Sequence, residues 1–464
     1  MDYSVTDLMV DMGWISILML VGSLARRYIG WFRALLIPAP ITAGMLGLLL
    51  GPNVLDIIPF SEQLNGYTTL AIAIVFAALP FTMQLGGKMQ KAGQVMFSYS
   101  AGALMLQWGV FIVLGIILFA PLFNTGDWFG MMLPVGFVGG FGVAAGVAEP
   151  LAEVGIDEAA SLGFTAATVG TFSGIIGGII FANWAARTGR LKELPATLPW
   201  SLRSGVIGPD EDRPVIGRAT SNPSAIDPLV LHGSIVGMCI IVAYLINEGV
   251  NNAFPAVSIP LFAMAFVVAI VVVLVMKLLG KPDFADQQTM TTISGSATDY
   301  LIAFGIASII PAAVADYLVP MILLFVLGIL FCLVFFFFVA PKYFGEHWVE
   351  RALFTWGWTN AAVATGIALL KIVDPHLKSG TMQEFGLGYL GMAPLEIGVI
   401  ILAPIAVSSG MLLGLGVGSL VIGLVALSLA FIFGWHPGGR NAIAGINGVS
   451  RASSRTRSGQ AAES

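Results

Sequence analysis

Residues 136–157 read GFVGGFGVAAGVAEPLAEVGID. The run is too rich in Gly and Ala for an uninterrupted membrane-spanning helix and too apolar for a water-exposed loop. It holds a Gly139-Gly140 break and then the pair Glu149-Pro150. A similar stretch, LFTWGWTNAAVATGIALLKIVD, occupies 353–374, an offset of 217 residues. We read the two as membrane-embedded hairpins that meet near the middle of a bilayer and form a transport site.

Composition supports a membrane class. Of 464 residues 57% are hydrophobic and 10% charged, against about 25% charged in a typical soluble chain. Apolar windows of about 20 residues, the length that crosses hydrocarbon, recur throughout. The net charge of -5 points to no partner class. Cys239 and Cys332 lie in apolar windows and read as buried thiols. Asp2, Asp7 and Asp11 precede the first basic residue, Arg26, which is the wrong charge order for a signal peptide, so the first window is expected to be retained. No phosphate-binding loop, Cys/His cluster or basic-aromatic stripe is present, so neither an enzyme, an ATP-driven pump, a metal centre nor a nucleic-acid partner is expected.

The expected spans are 8–25, 36–55, 67–86, 95–120 and 159–186 in the first half. In the second half they are 228–249, 256–279, 293–311, 318–340 and 388–408, with an additional window at 411–435. Between the halves a polar segment, 187–227, carries Arg187, Arg190, Lys192, Arg203, Arg213 and Arg218. Cytoplasmic loops hold the excess of Lys and Arg. Placing Arg26, Arg27 and Arg33 inside puts the N-terminus outside. All 21 Lys and Arg residues then fall on the inner side, provided 130–154 enters and leaves from outside and 353–374 from inside. The predicted divisions are a first repeat, 1–186, with its hairpin at 130–154; a cytoplasmic linker, 187–227; and a second repeat, 228–408, with its hairpin at 353–374. An additional helix, 409–435, and a disordered cytoplasmic tail, 436–464, follow.

A shift of 217 superposes Ile37-Pro38-Ala39 on Phe254-Pro255-Ala256, Gly140 on Gly357 and Asp157 on Asp374. Five crossings per half make the second half inverted. Inverted repeats broken at matching positions are a signature of secondary transporters and point to the binding site.

The motifs IPAPITAGMLGLLLG (37–51), VGGFGVAAG (138–146) and WGWTNAAVATGIA (356–368) resemble those of the bacterial sodium/glutamate symporter family. The likeness covers most of 20–408. It implies two inverted five-helix repeats with re-entrant hairpins, a homodimer, and sodium-driven uptake of glutamate into the cell across the bacterial inner membrane. Phe141 stands where the family commonly has His. Thr359-Asn360 stands in a motif that is usually richer in Gly with a Thr-Pro.

Candidate site residues follow. Gly139, Gly140, Phe141 and Gly142 in the first hairpin, and Gly357, Thr359, Asn360 and Thr365 in the second, are expected to bind substrate. Backbone N–H groups and dipoles at half-helix N-termini attract an anion where no Lys or Arg is expected. The competing reading is that the small residues only allow close packing. Asp299, with Ser296, Thr298 and hairpin carbonyls, offers oxygen ligands for sodium; hydration at the inner interface is the alternative. Glu149 is a further ion-coupling candidate or lies at the outer mouth, and Glu396 serves coupling or a polar pairing. Thr165, Thr168 and Thr171 line a pathway or bond back to their own helix. Asn183, Gln84 and Gln107 are weaker candidates of the same kind. His232, His347, His376 and His436 lie near span ends, where hydration is expected, and Phe335–Phe338 is expected to face lipid or pack.

The sequence thus reads as an all-α integral membrane protein of two inverted five-helix repeats, each with a re-entrant hairpin, plus one extra C-terminal helix. Its expected activity is sodium-coupled import of glutamate or a similar carboxylate by alternating access, with sodium as coupling ion and no other cofactor. A carrier for another anion, proton coupling and a passive channel are the alternatives.

Overall fold

The computed structural model describes residues 4–83, 91–191, 200–209, 211, 213–253, 260–374 and 379–435. Gln84, Lys192, Phe254-Pro255-Ala256, His376, His436 and the tail 436–464 lie outside them. Among the described residues the regular structure is helical. The helices that matter here are α1 (Val5–Tyr28), α2 (Ala39–Leu50), α3 (Leu64–Thr82), α4 (Lys91–Leu114), α5 (Met132–Gly136), α6 (Gly140–Ala152), α7 (Ala159–Arg187) and α8 (Pro228–Ala253). The series continues with α9 (Leu261–Leu278), α10 (Gln287–Ala307), α11 (Leu318–Val334), α12 (Trp348–Asn360), α13 (Val363–Val373), α14 (Thr381–Ser408) and α15 (Leu412–Ile432).

Nine helices among the described residues are long and apolar enough to cross a bilayer. Two expected spans are not of that kind. Residues 36–55 hold only the 12-residue α2, started at Pro38, which cannot continue a helix backwards, and ended at Gly51. Residues 293–311 belong to α10, which starts earlier, at Gln287, and is diluted by Thr, Ser and Asp.

The helices pack as two groups. One contains α1, α2, α3, α8, α9 and α10, with α3 lying against both α9 and α10. The other contains α4 to α7 and α11 to α15. They meet where α6 lies against α3 and α10 and α7 lies against α10. The additional helix α15 packs along α4 through small residues, so that a Cβ at Gly109 would stand 2.6 Å from the Leu420 nitrogen. Close approach of this kind is how helices associate where lipid removes the hydrophobic drive.

One succession of element types occurs twice. After α4, a π-helical turn at Gly115–Phe119 runs into Ala120-Pro121, then a 3-10 turn, the short α5, a break, α6 and α7. After α11, a π-helical turn at Phe335–Val339 runs into Ala340-Pro341, then a 3-10 turn, α12, a break, α13 and α14. Pro121 and Pro341 are 220 residues apart, and α6 and α13 start 223 apart. These separations exceed the expected offset of 217 by three and six residues. It paired Gly140, which opens α6, with Gly357, which lies inside α12. Of the phenylalanines in the second π-turn, Phe335 and Phe336 are buried and Phe338 is exposed, so the run both packs and faces outward.

The segment after the first half is tied to α10. Asp286 caps α10 by accepting from the Thr289 N–H (2.8 Å) and also accepts from the Arg218 N–H (3.0 Å). His232 is fully buried, which departs from the hydrated position expected for it. Its Nε2 accepts from the Asp286 N–H (2.8 Å), and its Nδ1, which then carries the proton, donates to the Pro228 carbonyl (2.6 Å).

Candidate functional site

Each break is written into the local sequence. Helix α5 ends at Gly136, and the chain turns through Phe137, Val138 and Gly139. Gly140 then opens α6 with φ +64, a left-handed conformation that costs a side-chain-bearing residue about 1 kcal/mol or more. In the second segment α12 ends at Asn360, Ala362 is extended, and Val363 opens α13.

The two breaks touch. A Cβ at Gly140 would stand 2.7 Å from the Ala361 carbonyl oxygen, so glycine serves both the φ and the contact. Gly170 of α7 passes as closely to the Asn360 carbonyl. Helix α7 also anchors α12, because the Trp356 indole N–H donates to the Gly174 carbonyl (2.9 Å). Ser173 lies 3.3 Å from the Asn360 side-chain oxygen, while the Asn360 amide donates to the Trp356 carbonyl (2.8 Å).

Gln107 of α4 joins the two breaks directly. Its Oε1 accepts from the Val138 N–H of the first (3.2 Å), and its Nε2 donates to the Thr359 carbonyl of the second (3.3 Å). The residue is fully buried. A helix break inside the membrane frees main-chain groups that must find partners, and this one side chain supplies an acceptor to one break and a donor to the other.

The remaining candidates sort by geometry. Phe141 is buried beside the first break, and Gly139 and Gly142 are half-buried. Gly357 does not make the second break. It lets α12 and α13 approach, since a Cβ there would stand 2.7 Å from the Gly366 Cα. Thr359 is buried and its hydroxyl bonds back to the Thr355 carbonyl (2.8 Å). Thr365 is half-buried in the first turn of α13, and Ala362 and Ala364 beside it are exposed. Thr165, Thr168 and Thr171 all donate to carbonyls one turn back on α7, at 2.7, 2.8 and 2.8 Å. Asn183 likewise bonds its own helix.

Asp299 and Ser296 occupy exposed positions on α10, and the Ser296 and Thr298 hydroxyls donate to their own helix. Glu149 is exposed on the last turns of α6, near Thr69 of α3 and Glu153. At the other end of the second segment, Arg351 of α12 pairs bidentately with Glu384 of α14, at 2.6 Å for both contacts. His347 lies 3.2 Å from Glu350.

Gln107 was the residue that pattern reading undervalued. The available signal was an amide in the middle of a long apolar helix, the same signal Asn183 gives. Replacing Gln107 by Leu leaves the Val138 N–H and the Thr359 carbonyl without this partner, at an expected cost of about 1–3 kcal/mol. Thermal unfolding in detergent should show a lower midpoint for Gln107→Leu, with little change for Asn183→Leu. Equal midpoints for Gln107→Leu and the parent would remove Gln107 from the account.

No curated protein matches the chain. A family model described as sodium/glutamate symporter matches residues 6–374, which span both breaks and end before α14. With that match over most of its length and nine long apolar helices among the described residues, the chain is a multi-pass membrane protein and belongs to the sodium/glutamate symporter family, a family of transporters rather than enzymes.

Proposed function

We propose that the protein imports glutamate, or a similar small carboxylate, driven by sodium and by alternating access. The observation that carries this reading is the meeting of the two breaks, Gly140 against Ala361 with Gln107 across both. The first turns of α6 and α13 supply N–H groups that the helices themselves cannot satisfy. An anionic substrate accepts from such groups and is favoured by the positive ends of both dipoles. Gly139, Gly140, Phe141 and Gly142 would bound it from one side, and Thr359, Asn360 and Thr365 from the other. Gly357 would contribute by packing.

In this reading 130–154 and 353–374 are re-entrant hairpins of two inverted five-helix repeats, a symmetry favoured by the repeated order of π-turn, Ala-Pro, break and long helix. The group containing α4 to α7 and α11 to α15 moves against the other. The N-terminus lies outside, the C-terminal tail lies in the cytoplasm of a bacterial cell, and the working unit is a homodimer. Asp299 and Glu149 are the sodium-coupling candidates, with Thr165, Thr168 and Thr171 along the path. Asp299 lies on α10, which packs across the boundary between the groups; a carboxylate there is placed to gain or lose an ion as they slide.

Reconstituted into liposomes, the protein should accumulate labelled glutamate under an inward sodium gradient and not without it. Asp299→Asn should raise the sodium concentration for half-maximal uptake by about tenfold, equivalent to about 1.4 kcal/mol. Absence of sodium-stimulated accumulation contradicts the assignment, and an unchanged sodium response removes Asp299. Topology is tested by single cysteines at the exposed positions Asp127 and Asp157, which should both react from outside, and at Lys342 and Lys371, which should both react from inside. Labelling of either pair from opposite sides refutes that hairpin.

A further inference from the structure

Helix α14 carries a second carboxylate, the half-buried Glu396, in the middle of its apolar stretch. One of its oxygens, Oε2, exposes less than 1 Å² and has no hydrogen-bond partner. An ionised carboxylate oxygen held that way has lost its hydration with no hydrogen bond in return. The oxygen therefore calls for a positive partner. It is closed to a water-sized sphere, so a hydrated ion does not fit against it, whereas a proton needs no cavity.

Among the described residues no cationic side chain supplies that partner. The hydroxyl of Tyr389, two turns earlier on the same face, hydrogen-bonds the carboxylate but carries no positive charge. The helices packed on α14 are α4, α6, α12 and α15. On α4, Lys91 is the first residue and Tyr99 donates to the Phe335 carbonyl. On α6, Glu149 is exposed beside Thr69 and Glu153. On α12, Arg351 is engaged by Glu384 and Glu350 lies by His347. Helix α15 has no charged residue.

The position also suits a moving part. Pro394 and Pro404 flank Glu396 and leave the carbonyls of residues 390 and 400 without an intrahelical donor, which makes α14 bendable there. On the same face Phe385 packs against Tyr389 and against Phe354 and Trp358 of α12, the helix that ends at the second break. Motion of the break thus reaches the stretch of α14 that carries the acid.

We propose that Glu396 is a proton-binding carboxylic acid of the transport cycle, so that a proton moves with the substrate in addition to sodium. The inference rests on the carrier reading above. A carboxylate oxygen takes a proton from the aqueous phase on one side, forming an O–H bond. That bond breaks when α14 is bent the other way, and the proton leaves to the opposite phase. No electrons are exchanged.

The test uses liposomes containing the full chain, a trapped pH-sensitive dye, an inward sodium gradient and a membrane potential clamped to zero. Wild-type uptake of glutamate should acidify the interior in step with the glutamate accumulated. Glu396→Gln should lose the acidification per glutamate taken up, and Glu396→Asp, which keeps the carboxyl, should retain it. Wild-type uptake with no acidification overturns the proposal, and this arm holds even where the Gln variant fails to fold. Acidification per glutamate in Glu396→Gln equal to the wild type overturns it as well. Absence of wild-type uptake is a different result, because it removes the carrier reading itself.

Discussion

A main-chain N–H or carbonyl freed inside hydrocarbon has no water to turn to, and each one left bare costs several kcal/mol. That constraint organises this protein. Two helices stop partway, at Gly136 and Asn360, and restart within two or three residues. Such stops are affordable only where other protein groups fill the vacancy. Gln107 does so for both, with its acceptor on Val138 and its donor on Thr359. The amide of one side chain thereby fixes the distance between two segments far apart in sequence. Helix α7 supports the same junction by bringing Gly170 and Ser173 against Asn360.

Around this junction the molecule divides its labour by composition. Helices α4, α11, α14 and α15 are long and strongly apolar, and Gly and Ala let α15 and α14 settle closely on α4. At the boundary between the two groups, α6 carries Glu149, α7 a row of Thr and Ser, and α10 Thr, Ser and Asp299. Polar groups in a membrane are placed where they meet protein or water rather than lipid.

Much of the architecture was legible in the sequence because long apolar runs have few alternatives in a membrane. The positions of the long spans follow from hydropathy alone. Shorter or more polar elements were harder to place: α2 has only 12 residues, and α10 hides its helix among Thr and Ser. The two odd stretches were visible from their Gly and Ala content, and the second break was placed to within a few residues. Gly357 and the pair Thr359-Asn360 both offered a break; the helix ends at Asn360, while Gly357 serves a contact. The break falls at Ala361-Ala362, directly after that polar pair. His232 and Gln107 show the limit most clearly, since a lone polar residue reveals its role only when the segments it bridges are known, 54 residues away for Asp286 and 252 for Thr359.

The central claim is that the meeting point of the two breaks holds the substrate. Ala362 is exposed there, at the start of α13, while Cys239 and Cys332 are both buried. The most direct measurement is the rate at which a thiol reagent modifies Ala362→Cys in reconstituted protein. The account predicts slowing by about tenfold or more when glutamate and sodium are both saturating, and little slowing with glutamate alone. An unchanged rate under saturating glutamate and sodium, in protein that still transports, would contradict it.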